Sequence, residues 1–213
     1  MSDADVIIIG SGMGGATMAA ALAPSGRRIL ILERGERLPD TAEARDATAI
    51  FAQGHYRPDE EWLDGDDRPF NPGNYYFVGG NSKFYGAVLI RYREGDFAPL
   101  KHIGGTTPGW PIGYDDLEPH YQEAEALYRV RGQLGEDPSE PRHSGRYPFP
   151  PVPDEADIAD LRRRLERVGL HPASLPLGVD IERWLDRGQT PGTRFPIPVQ
   201  ARWTPKRPGL RPP

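Results

Sequence analysis

Asp5-Val6-Ile7-Ile8-Ile9-Gly10-Ser11-Gly12-Met13-Gly14-Gly15 stands near the start of the sequence, and its reading decides the fold. Four β-branched apolar residues closed by a glycine read as a parallel strand covered on both faces. The glycines fit G-x-G-x-x-G at Gly10, Gly12 and Gly15. Met13 to Ala23 then runs through Ala16, Met18, Ala19, Ala20, Ala21 and Leu22, small and apolar residues that favour a helix packed closely on a sheet, ended by Pro24-Ser25-Gly26. Arg28 to Leu32 reads as a second strand and Glu33 ends it. Strand, glycine turn, helix, strand and terminal acid together form a dinucleotide-binding βαβ fingerprint, with a right-handed crossover.

Each part has a physical reason. Gly10 makes the sharp turn, Gly12 lets a pyrophosphate approach the backbone, and Gly15 lets helix and strand pack closely. The helix N-terminus offers N–H groups and the positive end of a dipole to phosphates. A Glu33 carboxylate accepts hydrogen bonds from adenosine ribose hydroxyls and repels a 2′-phosphate, which disfavours NADP. The fingerprint itself serves FAD and NAD alike.

Outward from this unit the chain becomes loop-rich. Its 213 residues include 25 glycines and 24 prolines, together about 23% against an ordinary share of roughly 12%, and its mean hydropathy is -0.61. A net charge of -5 gives no general pull toward nucleic acid or an anionic membrane. No cysteine is present, which removes disulfides, thiolate nucleophiles and iron–sulfur clusters, so redox chemistry must come from a cofactor. Val6 to Ile9 is too short for a signal core or a membrane span, so a cytoplasmic protein is expected.

Residues 37–72 show weak periodicity and imply surface loop with a short helix near Glu43 to Phe51. The run Asp64-Gly65-Asp66-Asp67 lacks the spacing of a calcium loop and reads as a solvated turn. Ala87 to Tyr92 is a third plausible strand. Asp115 to Tyr128 carries Leu117, Tyr121, Ala124 and Leu127 at helical spacing, with Asp115 as its N-cap and Pro119 tolerable only in a first turn. Six prolines in 138–153 mark a linker. Asp154 can cap an amphipathic helix through Val168, with Ile158, Leu161, Leu165 and Val168 on one face and Gly169 at its end; packing of that face is expected. From Gly192 to Pro213 there are six prolines, five basic residues and no acid, which reads as a disordered tail.

A second region resembles a known family. Val78-Gly79-Gly80-Asn81-Ser82-Lys83-Phe84-Tyr85-Gly86-Ala87 through Arg91 is similar to the second flavin-contacting segment of the glucose-methanol-choline (GMC) FAD-dependent oxidoreductases. Gly109-Trp110-Pro111-Ile112 and Tyr114-Asp115-Asp116-Leu117-Glu118-Pro119 with Tyr121, Ala124 and Glu125 resemble the segment that follows it. Glu33-Arg34-Gly35 looks like the extended FAD form of the fingerprint. The resemblance spans roughly residues 4 to 180 and implies FAD as cofactor, with oxidation of a CH–OH group in an alcohol or sugar by proton removal and hydride transfer to the flavin ring. The cofactor-binding set it implies is Gly10, Ser11, Gly12, Met13, Gly14, Gly15, Glu33, Arg34, Gly79, Gly80, Asn81, Ser82, Tyr85 and Gly86. Some relatives tether flavin through a histidine in this loop; Phe84 stands at the matching position, so non-covalent FAD is expected.

No catalytic residue or metal ligand is assigned. The family's proton-abstracting histidine and its His or Asn partner lie near the end of a longer chain, and His55, His102, His120, His143 and His171 are scattered. The expected fold class is α/β: a Rossmann-like FAD-binding unit with an incomplete parallel sheet, a C-terminal helix and a disordered tail. The divisions are 1–105 for FAD binding, 106–190 for an incomplete substrate-side and linker region, and 191–213 for a tail read as out of register in a frameshifted or truncated gene product. The rival readings are a non-catalytic flavin- or nucleotide-binding fragment that needs a second polypeptide, and an NAD-linked dehydrogenase.

Overall fold

The structure is a computed structural model that describes residues 3–84 and 86–181. Tyr85 and the expected disordered tail lie outside the described residues. The chain divides into two compact units, one up to Gly86 and one beginning at Ala87.

The first unit is built on the βαβ motif. Strand β1 (Val6–Ile9) and strand β2 (Ile29–Leu32) pair in parallel, Val6 with Ile29 through to Ile9 with Leu32, and helix α1 (Met13–Leu22) connects them. Gly10 turns the chain out of β1 at φ +88°. Pro24 sits in a short 3-10 turn (Ala23–Ser25) that ends α1, and Gly26 leaves it in the left-handed region at φ +71°, a conformation that costs glycine little. Full cover on both faces of β1 was expected, and only part of it is found. Ile8 is buried, whereas Ile7 and Ile9 are 58% and 86% exposed, because β1 alternates its side chains and α1 lies against the Ile8 side. Among the described residues the parallel sheet has two strands, and a separate isolated parallel bridge joins Glu36 to Phe77.

The helix expected near Glu43 to Phe51 is two short turns, a 3-10 turn at Glu43–Arg45 and a π-helical turn at Thr48–Ala52. Strands β3 (Trp62–Leu63) and β4 (Pro69–Phe70) form a small antiparallel hairpin. Its turn is the acidic run: Asp64 Oδ1 accepts from the amides of Asp66 at 2.8 Å and Arg68 at 3.0 Å. The core of this unit gathers Ile50, Tyr75 and Phe84, with Leu38, Tyr56 and Phe77 packed against them. Tyr75 and Phe84 rings lie 4.1 Å apart between centroids, and this packing anchors both ends of the Gly79 loop.

In the second unit Ala87 to Tyr92 is not the strand its apolar run predicts. The segment meets a partner through one isolated bridge, Val88 to Leu177, since an apolar run forms a strand only where another backbone lies alongside to complete the ladder. A short hairpin follows, β5 (Leu100–His102) with β6 (Gly105–Thr107). Helix α2 (Tyr114–Leu127) starts one residue earlier than expected: Gly113 is the N-cap, and Asp116, not Asp115, caps it by accepting from the Gly113 amide at 2.8 Å. Pro119 therefore falls in the second turn, where its ring removes the bond to the Asp115 carbonyl.

The buried face of α2 also differs from the apolar one. Tyr114, Glu118 and Glu125 are its buried residues, while Leu127 is exposed. The reason is a buried cation, Arg91, whose guanidinium meets Tyr114 Oη at 2.9 Å and Glu118 Oε1 at 3.1 Å besides Glu125. A buried charge must be paired and hydrogen-bonded, and α2 turns its polar stripe inward to do so. Glu118 also accepts from the Ser144 amide at 2.7 Å; that bond, the Ser144 hydroxyl and Arg91 together outweigh burial and hold its carboxyl at about 2.

Helix α3 (Ala156–Arg167) ends at Gly169, φ +81°, as its sequence implies. Its N-cap is Glu155 without a side-chain cap bond; Asp154 instead pairs with Arg162 Nε at 2.6 Å. Among the described residues the apolar stripe is packed less than expected: Ile158, Leu161 and Val168 are exposed and Leu165 is half-buried. Among the described residues no helix is long and apolar enough to cross a membrane.

Candidate functional site

The expected cofactor-binding residues that the structure describes lie in the first unit. Three segments of its sequence converge there: the glycine turn after β1, the acid after β2, and the Gly79 loop.

The glycine turn behaves as its sterics require. A Cβ on Gly15 would lie 2.0 Å from the Gly10 carbonyl oxygen and 3.2 Å from Ile8 Cγ2, so the close approach of α1 to β1 depends on the missing side chain. Gly10 and Gly14 would meet nothing within 4 Å, which leaves open space beside the turn. Gly12 is the N-cap of α1 and no side chain caps the first turn, which begins at Met13. First-turn N–H groups lack intrahelical acceptors, and together with the dipole they suit a phosphate.

Glu33 lies across the mouth of this turn. Its Oε2 accepts from the Ser11 amide at 2.9 Å and also from the Ser11 hydroxyl; its Oε1 accepts from the Gly35 amide at 3.0 Å. Slight burial raises the carboxyl's pKa, but the Ser11 hydroxyl and the Gly35 and Ser11 amides outweigh it and keep it below the usual carboxylate value. The group is thus an anion that can accept a ribose hydroxyl. Arg34 next to it stacks over the Tyr76 ring at 3.7 Å and approaches Glu60 at 3.8 Å.

The Gly79 loop is pinned to the glycine turn. The Gly79 amide donates to Ser11 Oγ at 2.8 Å, and a Cβ on Gly12 would stand 3.8 Å from the Gly79 carbonyl oxygen. Gly79 and Gly80 take positive φ, +98° and +54°, and open a 3-10 turn (Gly80–Lys83). The polar side chains that follow are turned onto their own loop. Asn81 Oδ1 accepts from the Tyr75 amide at 2.7 Å, and Ser82 Oγ donates to the Gly79 carbonyl at 2.5 Å. Gly86 is exposed and nothing crowds it. The structure therefore brings Gly10, Ser11, Gly12, Glu33 and Gly79 together, and the contact between the two glycine motifs had no local signal in the sequence.

Gly35, which the sequence places in the Glu33-Arg34-Gly35 motif but outside the expected cofactor-binding set, also shapes this region. A Cβ on Gly35 would fall 1.8 Å from the Tyr76 carbonyl oxygen and 2.7 Å from the Phe77 amide nitrogen. The bare backbone there lets Val78 N–H reach the Glu36 carbonyl at 2.8 Å, which aligns the chain leading into Gly79. Its signal was the glycine directly after the acid and arginine.

The chain is similar to known proteins. Residues 5–206 match the family profile described as DAO, FAD dependent oxidoreductase. The chain is 33% identical over 180 residues to 6'''-hydroxyparomomycin C oxidase of Streptomyces lividus, covering 83% of this chain and 32% of that protein. It is 32% identical over 159 residues to 2-methyl-1,2-propanediol dehydrogenase of Mycolicibacterium austroafricanum, covering 70% of this chain and 28% of the other. This chain thus spans about a third of the length of these curated relatives. In fold it is similar to a solved FAD-dependent oxidoreductase from Chaetomium thermophilum, with a TM-score of 0.51 and 19% identity over 84% of this chain and 34% of that one.

Proposed function

The chain belongs to the FAD-dependent oxidoreductase family, and from that footing we propose that its first unit holds the adenosine diphosphate part of a non-covalent FAD in an oxidoreductase of the GMC type acting on alcohol or sugar CH–OH groups. The observation that carries the reading is the convergence on Ser11 of the glycine turn, the Glu33 carboxylate and the Gly79 amide. The uncapped start of α1 with Gly10 to Gly15 takes the diphosphate, Glu33 takes the ribose, and Arg34 frames that end through its stacking on Tyr76. Gly79, Gly80, Asn81, Ser82, Tyr85 and Gly86 form the flavin-side segment, with the buried Phe84 ring fixing it from beneath. Bound FAD supplies the hydride acceptor for oxidation of the hydroxyl-bearing carbon. The relatives named for a hydroxyparomomycin and for a propanediol favour a hydroxyl-bearing small molecule as substrate.

A second reading is favoured by the exposure of Ile7 and Ile9: nucleotide binding requires further polypeptide over that face of β1. One experiment addresses both. The visible absorption spectrum of the purified protein is recorded, and the cofactor is released by denaturation and identified by mass. FAD with the chain alone supports the first reading; FAD only after a second, GMC-type C-terminal polypeptide is supplied supports the second; a nicotinamide dinucleotide or no nucleotide in both samples refutes the assignment.

A further inference from the structure

The Ser11 hydroxyl is committed on both sides. It donates its one proton to Glu33 Oε2 and accepts the Gly79 amide at 2.8 Å, while the Ser11 backbone N–H also goes to Glu33 at 2.9 Å. A carboxylate has about four lone-pair directions. Two at Oε2 are taken by Ser11 and one at Oε1 by the Gly35 amide at 3.0 Å, and the Arg34 amide also acts on the carboxylate, so Oε2 is filled and what acceptor capacity is left lies at Oε1. We propose that Ser11 is a positioning residue rather than a phosphate ligand: its side chain pins the Glu33 carboxylate and the Gly79 loop to the glycine turn, so that Oε1 alone is presented to the adenosine ribose.

This rests on the reading of the first unit as an adenine dinucleotide site. Within that reading it departs from what the motif implies for Ser11, namely a group facing the cofactor. Without the hydroxyl, Glu33 loses a charge-assisted donor and gains rotational freedom, and the Gly79 amide loses its acceptor. An alanine cannot replace either bond, whereas threonine keeps the hydroxyl.

The test titrates the full chain, stripped of nucleotide, with ADP and with FAD, following heat and flavin fluorescence. Loss of one hydrogen bond to a charged group weakens binding about tenfold, and that is the expected effect of Ser11→Ala on ADP and FAD, with Ser11→Thr close to wild type. In a Glu33→Gln background Ser11→Ala should cost ADP less than about twofold, because for ADP the effect passes through the carboxylate, whereas the loss through the Gly79 loop remains for FAD. The acid midpoint for loss of ADP binding should move upward in Ser11→Ala and stay in place in Ser11→Thr. Wild-type affinity in Ser11→Ala at an unchanged midpoint overturns the pin alone; failure of the wild type to bind either ADP or FAD overturns the site and the pin with it. Should Ser11→Ala not fold, Ser11→Cys, close in volume and only a weak donor, takes its place: weaker ADP binding at a raised acid midpoint supports the pin, and wild-type affinity at an unchanged midpoint refutes it.

Discussion

Arg91 meets Glu125 side-on, Nε to Oε1 at 2.6 Å and Nη2 to Oε2 at 2.7 Å, and both side chains are at least 95% buried. Such a two-point pair is the strongest geometry open to an arginine and a carboxylate. Its value lies in being complete. Removing one partner leaves a buried charge unpaired, and Arg91→Ala or Glu125→Ala should destabilise the unit beginning at Ala87 by about 3–5 kcal/mol. Arg91→Lys loses the two-point contact and should also be destabilising. Urea unfolding followed by circular dichroism measures this, and a shift within experimental error would show that the pair does not organise α2.

Acid should weaken the same unit in two stages. The buried side chain of His143 lies against Tyr147, with Nε2 3.2 Å from Glu140 Oε1 and Nδ1 4.0 Å from Glu125 Oε2. Burial and then the charge of Arg91 lower its pKa, against the opposing pull of Glu125, Glu140 and Glu118. The unfolded chain therefore takes up the proton first. Its contribution to stability is whole above pH 6.5 and declines as pH falls below that value. Glu118, held at about 2 against an ordinary 4.5, contributes above pH 4.5 and loses its contribution below. The urea midpoint measured against pH should fall in both windows, and His143→Gln should flatten the upper one only.

Gly35→Ala should be among the most damaging small substitutions in the first unit. The methyl would need space already held by the Tyr76 carbonyl and the Phe77 amide, backbone atoms that cannot swing aside. A cost above about 2 kcal/mol is expected, with a matching loss of nucleotide affinity because the Gly79 loop is displaced. Thermal unfolding and FAD titration check the two effects separately. Gly14→Ala, with nothing within 4 Å of the new carbon, serves as the tolerated control for folding.

Ile9→Thr tests whether the outer face of β1 is covered. At 86% exposure the change should alter stability by less than about 0.5 kcal/mol. A loss above about 1 kcal/mol, of the size seen when a buried aliphatic side chain loses methyl groups, would show that further polypeptide packs there.

The parts of this fold that were legible in the sequence are those fixed by near neighbours. The β-branched run of β1, the alanine-rich α1 and the second apolar run predicted the parallel pair, and Gly10 and Gly15 disclosed the turn because sterics leave few alternatives to glycine. Position 87–92 misled because its apolar run carries no information about whether another backbone lies alongside. The buried face of α2 misled for a different reason. Leu117, Tyr121, Ala124 and Leu127 outlined an apolar stripe, but Tyr114, Glu118, Gln122 and Glu125 recur at the same helical spacing, and Arg91, 34 residues from Glu125, decided which stripe turned inward. The contact from Ser11 to Gly79 spans 68 residues and has no periodic or compositional trace. Of the candidate site, the cradle and its acid could be read locally, and their junction with the second glycine loop could not.

The amide oxygen of Asn81 and the hydroxyl of Ser82 are both spent on main-chain partners, so these side chains hold the bend of the Gly79 loop. If FAD docks there as proposed, exchanges at 81 or 82 should be felt as a change in bend rather than as the loss of a chemical handle.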